Sequence, residues 1–142
     1  MIRVLATGTF DILHPGHIYF LKKSKLYGDE LHVIIGRDKN IKHKKKPIIN
    51  EYQRFKMISE LKVVDYVYLG DLNDKYALLK KIKPNIITLG FDQKINEILL
   101  RKNLLSLNLE TKIIRIDNIK KELYSTQSII QKIIHERILK NI

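Results

Sequence analysis

The strictest constraint in this chain is an alternation: short apolar runs, each closed by glycine or polar residues, take turns with stretches patterned as helices from end to end. Residues 2–7 form a β-branched run ended by Gly8 and read as a buried strand. A helix follows from residue 17, after Pro15 at a tolerated first-turn position, to a stop at Gly28. Residues 31–36 are a second strand, and residues 37–49 a polar, lysine-loaded loop closed by Pro47. Asn50 is placed to cap a helix over 51–61. A third strand lies within 63–69, a helix over 73–82 is cut off by Pro84, and residues 86–89 are a fourth strand ended by Gly90. A helix over 96–107, a strand over 112–116 and a last helix capped by Ser125 or Thr126, with Ile129, Ile130, Ile133 and Ile134 inward, complete the pattern.

Strands alternating with helices, and near-continuously apolar themselves, imply a parallel sheet covered on both faces. The expected architecture is one Rossmann-like doubly wound α/β domain over residues 1–142, with five strands in the order 3-2-1-4-5. In such sheets ligands sit beyond the carboxyl ends of the strands where the winding reverses. That order puts Gly8-Thr9-Phe10-Asp11 and Gly90-Phe91-Asp92-Gln93 side by side at the crevice.

Composition narrows the chemistry. The chain has no cysteine, which excludes disulfides and thiolate catalysis. Its amino terminus is too quickly broken by polar residues for a signal peptide, and no apolar run approaches the ~20 residues needed to cross a bilayer, so a cytoplasmic protein without membrane contacts is expected. A net charge of +12 fixes the sign of the ligand and not its identity: nucleic acid, an anionic small molecule, or simply a solvated lysine surface. One dense cluster stands out, Lys42-His43-Lys44-Lys45-Lys46.

His14-Pro15-Gly16-His17 falls between a strand end and a helix start, where unpaired N–H groups and the helix dipole suit phosphate. Two imidazoles there can donate to phosphate oxygens, and Gly16 keeps the backbone bare for a bulky anion. Zinc is disfavoured, because no carboxylate or third histidine has ligand spacing.

The run from Gly8 to His17 resembles the signature of the cytidylyltransferase-like nucleotidyltransferases. Arg37-Asp38, Pro47-Ile48-Ile49, Gln53-Arg54, Val64-Asp65 and Leu89-Gly90-Phe91-Asp92-Gln93 follow in that family's order and spacing. Within it the chain is most similar to the archaeal FAD synthases, and next to the glycerol-3-phosphate cytidylyltransferases. The resemblance implies transfer of AMP from ATP to FMN, with magnesium as the divalent metal and no tightly bound organic cofactor; the alternative is CTP with a phosphorylated alcohol.

By the same resemblance His14 and His17 contact the nucleotide phosphates and stabilise the transition state, and Thr9, Phe10, Pro15 and Gly16 line the nucleotide site. Asp11 orients the site or helps hold the metal, Asp92 touches the sugar or base, and Lys44, Lys46 and Arg54 bind substrate phosphate. Tyr124, Ser125 and Thr126 stand where relatives carry Arg-x-x-Gly-x-Ser-Thr; here Lys120 and Lys121 offer charge without an arginine's fork.

Plainer readings stand beside these. Asp11 could cap the following helix, Asp92 could be a turn residue, Arg54 could pair with a carboxylate, and residues 42–46 could be a solvated loop. A nucleic-acid-binding module is the rival of another class, but the lysines lack interleaved aromatics, so no nucleic-acid partner is expected. The reading leaves room for a homodimer.

Overall fold

The computed structural model describes residues 1–42, 45–117 and 125–141. Its strands are β1 (Arg3–Gly8), β2 (Glu30–Ile35), β3 (Tyr66–Leu69), β4 (Ile86–Leu89) and β5 (Lys112–Arg115). The helices are α1 (Pro15–Lys25), α2 (Glu51–Ser59), α3 (Ala77–Ile82), α4 (Glu97–Ser106) and α5 (Thr126–Arg137). All strand pairs are parallel, as the alternation requires, and their order is the expected β3-β2-β1-β4-β5.

Because successive strand residues face opposite sides, β1 feeds two cores. Val4 and Ala6 pack with Leu21, Leu31, Val33 and Ile58 on one side, and Leu5 packs with Leu79, Ile82, Ile87 and Leu104 on the other. Winding reverses between β1 and β4, which pair only through Val4–Ile86, Leu5–Ile87 and Ala6–Thr88. Side chains reinforce this short seam. At its amino end, Arg3 N donates to Asn85 Oδ1 at 2.8 Å, and Asn85 N donates to Arg3 O at 2.9 Å. From α1, Ser24 Oγ meets Thr88 Oγ1 at 2.7 Å, both side chains fully buried.

Local chemistry explains where elements stop. Asn50 caps α2 and Asn96 caps α4, accepting from Gln53 N and Leu99 N. Helix α1 ends at Lys25, before Gly28, and Gly28 is no left-handed cap. Its role is close approach, because a Cβ there would lie 2.7 Å from Val4 Cγ2. Helix α3 begins at Ala77 rather than residue 73, because the Asp71 and Asp74 carboxylates accept from the N–H groups of Asn73, Asp74 and Tyr76. Strand β3 starts only at Tyr66, because Asp65 ends the preceding turn. Its carboxylate accepts from Leu31 N at 2.7 Å and Lys25 Nζ at 2.5 Å; desolvation works against its charge, but these donors outweigh it and hold the carboxyl below its usual range.

The inward face expected of the last helix is corrected in part. Ile129 and Ile130 are half-buried, whereas Ile133 and Ile134 are exposed, as are Ile138 and Leu139 beyond. Among the described residues no helix is long and apolar enough to cross a membrane.

Candidate active site

The turn after β1 is built on a strained residue. Phe10 has φ 50°, a left-handed backbone that costs a bulky residue about 1–2 kcal/mol. Burial of its ring compensates: the side chain is 5% exposed, in the core beside Leu21 and Phe20. The ring also covers Gly8, where any Cβ would fall 2.8 Å from it. The resemblance places Phe10 along the nucleotide site; its ring is turned into the core and supports His17, edge-on with centroids 5.4 Å apart, which leaves its backbone to face the turn.

His14 is the N-cap of α1. Its Nδ1 accepts from Gly16 N at 3.0 Å, and Pro15 occupies the next position, where no N–H is needed. An accepting Nδ1 places the proton of neutral His14 on Nε2, which can then donate to a ligand. The His14 and His17 rings stack at 3.8 Å, so two imidazoles stand together at the positive end of α1.

Burial lowers the His14 pKa from its ordinary 6.5, and protonation at Nδ1 would also break the cap. The unfolded chain therefore binds this proton more readily than the folded one. His14 contributes stability above pH 6.5, and that contribution fades as pH falls through the lower folded value. In an NMR titration the His14 imidazole is expected to titrate below 6.5; a midpoint at or above it would refute the capped geometry.

Asp11 neither caps the helix nor stands open in the crevice. Its Oδ2 accepts from Ile48 N at 3.0 Å and its Oδ1 from Ile49 N at 2.9 Å, so it ties the exit of the basic loop to the His14 turn. Lys45 and Lys46, just before Pro47, are exposed. His43, Lys44, Lys120, Lys121 and Tyr124 lie outside the described residues.

Arg54 pairs with a carboxylate, Asp38, as its plainer reading has it, and departs from the phosphate-binding role that the resemblance implied. Its side chain is 0% exposed and hydrogen-bonded throughout, so it is not presented to substrate phosphate. Nε donates to Ile49 O at 2.9 Å, Nη1 to Thr9 O at 2.7 Å, and Nη2 to Gly36 O at 2.9 Å and Asp38 Oδ1 at 2.6 Å. One guanidinium thus joins the ends of β1 and β2 to the start of α2. Around it Asp38 N donates to Glu51 Oε1 at 3.0 Å, and Arg37 Nε lies 3.2 Å from Glu51 Oε2. Val64-Asp65 serves the opposite, amino end of the sheet.

Across the seam, the turn after β4 meets the turn after β1 through a side chain that sequence reasoning did not single out. Gln93 Oε1 accepts from Gly90 N at 2.6 Å, and Gln93 Nε2 donates to Thr7 O at 2.9 Å. Arg115 braces the same turn, donating through Nη1 to Gly90 O at 2.8 Å and Gln93 O at 2.6 Å. Asp92 projects from this turn at the surface. Gln93→Leu would strand Gly90 N–H and Thr7 C=O, and a loss of roughly 1–3 kcal/mol in urea unfolding is expected.

Ser125 caps α5 in a reciprocal box with Ser128: Ser125 Oγ accepts from Ser128 N at 3.1 Å, and Ser128 Oγ accepts from Ser125 N at 3.4 Å. Thr126 is the first residue of that helix. Tyr19 Oη donates to Asp117 Oδ1 at 2.9 Å, tying α1 to the chain leaving β5. Among the described residues, no group of three or more His, Cys, Asp or Glu side chains could hold a metal ion.

A doubly wound sheet with an imidazole pair on a helix N-terminus, at the point where the winding reverses, defines a phosphate-handling α/β protein. Residues 5–132 match the cytidylyltransferase-like family, and the chain belongs to it. The FAD synthase of Methanoculleus marisnigri is 50% identical over 137 residues, 96% of this chain and 92% of that protein. The FAD synthase of Methanosarcina mazei is 50% identical over 135 residues, 94% of this chain and 89% of that one. A crystal structure from Thermoplasma volcanium, titled a lipopolysaccharide core biosynthesis protein, superposes with a TM-score of 0.80 at 49% identity, covering 84% of this chain and 99% of that one.

Proposed function

We propose that this chain is an FMN adenylyltransferase, a single nucleotidyltransferase domain that makes FAD in the cytoplasm. A phosphate oxygen of FMN attacks the α-phosphorus of ATP; the bond from that phosphorus to the bridging oxygen of the β-phosphate breaks, and pyrophosphate leaves. The observation that carries this reading is near-full-length similarity to FAD synthases in a chain that keeps an imidazole pair at the head of α1.

A phosphate monoester is already a nucleophile, so the site has to position and neutralise rather than deprotonate. His14 would offer Nε2–H to the nucleotide phosphates, with His17 stacked beside it. Lys46, held near by the Asp11 tie to Ile48, would meet the phosphate of FMN, and Lys44 is assigned the same task. Thr9, Pro15 and Gly16 would line the phosphate passage, Asp92 would take the sugar or base, and Tyr124, Ser125 and Thr126 would close the nucleotide side.

Arg54 and Phe10 act here as positioning residues. Magnesium would arrive with ATP as substrate, consistent with its habit of binding one or two carboxylates plus phosphates. Asp11 has both oxygens engaged by backbone N–H groups, which favours its orienting role over a metal one. The exposed Ile133, Ile134, Ile138 and Leu139 leave room for a homodimer, which sedimentation would measure.

The alternative reading from the family resemblance is CTP with a phosphorylated alcohol. Incubation with Mg²⁺ and either ATP plus FMN or CTP plus glycerol 3-phosphate, with pyrophosphate measured, decides. Release with ATP and FMN alone is expected, and release only in the CTP pair would overturn the reading.

A further inference from the structure

Between the His14 turn and α2 lies a groove of about 590 Å³, walled by Ile12 and Leu13 on one side and Ile49 and Met57 on the other, with Arg54 beneath. That volume lies within the range of small-molecule sites. Met57 is 52% exposed on α2, and no hydrogen bond of this helix depends on its side chain. Gln53 and Lys56 bring polar groups to the same opening.

Strand order gives the groove its meaning. The β1 turn is central; the Gly90–Gln93 turn lies on its β4 side, whereas α2 follows β2, the neighbour on the other flank. A nucleotide held by the His14 turn and the β4 turn leaves the α2 side for whatever attacks it. The groove reaches Leu13, adjacent in sequence to His14, and Asp11 fixes Ile49 at its edge, three residues after Lys46.

We propose that this groove holds the tricyclic flavin ring of the acceptor, with its phosphate arm leading past Lys46 to His14. The inference rests on FMN being the acceptor. The lining fits that ring: Ile12, Leu13 and Met57 meet its apolar faces, the Met57 thioether making a soft contact with an aromatic system. Gln53 carries the donor and acceptor that the imide edge needs.

The test uses the full chain with FMN, riboflavin, ATP and Mg²⁺. Met57→Glu is expected to raise the KM for FMN and the Kd for riboflavin, read by flavin fluorescence, about tenfold, because a carboxylate set against an apolar ring face loses hydration without gaining a partner. The KM for ATP should stay within about twofold, and Met57→Leu should restore flavin binding. Lys46→Ala should weaken FMN and leave riboflavin unchanged, separating ring from phosphate. If Met57→Glu turns over FMN with wild-type KM and binds riboflavin as the wild type does, the groove assignment is overturned while FAD synthesis stands. If the wild type transfers nothing to FMN but does to glycerol 3-phosphate from CTP, both fall.

Discussion

Replacing His14 or His17 by alanine is expected to lower turnover by about two orders of magnitude or more, the scale of losing one preorganised donor to developing charge. The two substitutions should differ in what else they do. His14 caps α1, so His14→Ala also removes the acceptor for Gly16 N–H and should cost about 1 kcal/mol of stability. His14→Asn keeps a capping oxygen; it should recover the stability and not the rate. His17 holds no cap, and its ring lies between His14 and Phe10, so His17→Ala should lose rate with a smaller change in unfolding. Near-normal rates in both alanine variants, with ATP and FMN saturating, would remove the imidazole pair from the mechanism.

The largest stability effect is expected at Arg54. Truncation to methionine deprives the carbonyls of Ile49, Thr9 and Gly36 of their donor and Asp38 of its partner, in a place closed to water. Breaking a buried charge pair costs about 3–5 kcal/mol. Asp38 keeps a side-chain exposure of 35%, so solvent offsets part of that penalty and the lower end of the range is expected. Lysine should not rescue, because an ammonium cannot address acceptors in several directions as the fork does. Urea unfolding measures the loss. A variant that unfolds like the wild type but binds FMN weakly would return Arg54 to the phosphate-binding role first read from its motif.

What was legible in the sequence, and what was not, divides by the range of the interactions. Strand β4 and the caps Asn50 and Ser125 follow from residues within one turn of each other, and the parallel sheet follows from the alternation of elements. The bracing roles of Arg54, Gln93 and Arg115 were hidden because each reaches a backbone carbonyl distant in sequence, Thr9 O, Thr7 O and Gly90 O respectively, and any residue supplies a carbonyl. Asp11 was read as cap, orienter or metal ligand; which N–H groups it would meet depends on a loop folding back onto it. The late start of α3 reflects a local competition that helix periodicity does not register, with two aspartates taking the N–H groups of the would-be first turn. Phe10 carried an aromatic that motif reasoning assigned to the ligand, and only the left-handed backbone turns it inward.

The stitching of β1 to β4 has a consequence for how substrates are admitted. Asn85 joins the two strands at one end and Gln93 at the other, with Ser24 and Thr88 between. The sheet is therefore one stiff plate and cannot open like a book along its switch point. Adjustment to two bulky substrates then falls to the turns beyond the strand ends, so changes at Pro47 to Ile49, which Asp11 holds, should alter substrate entry and release without changing the spacing between the β1 and β4 turns.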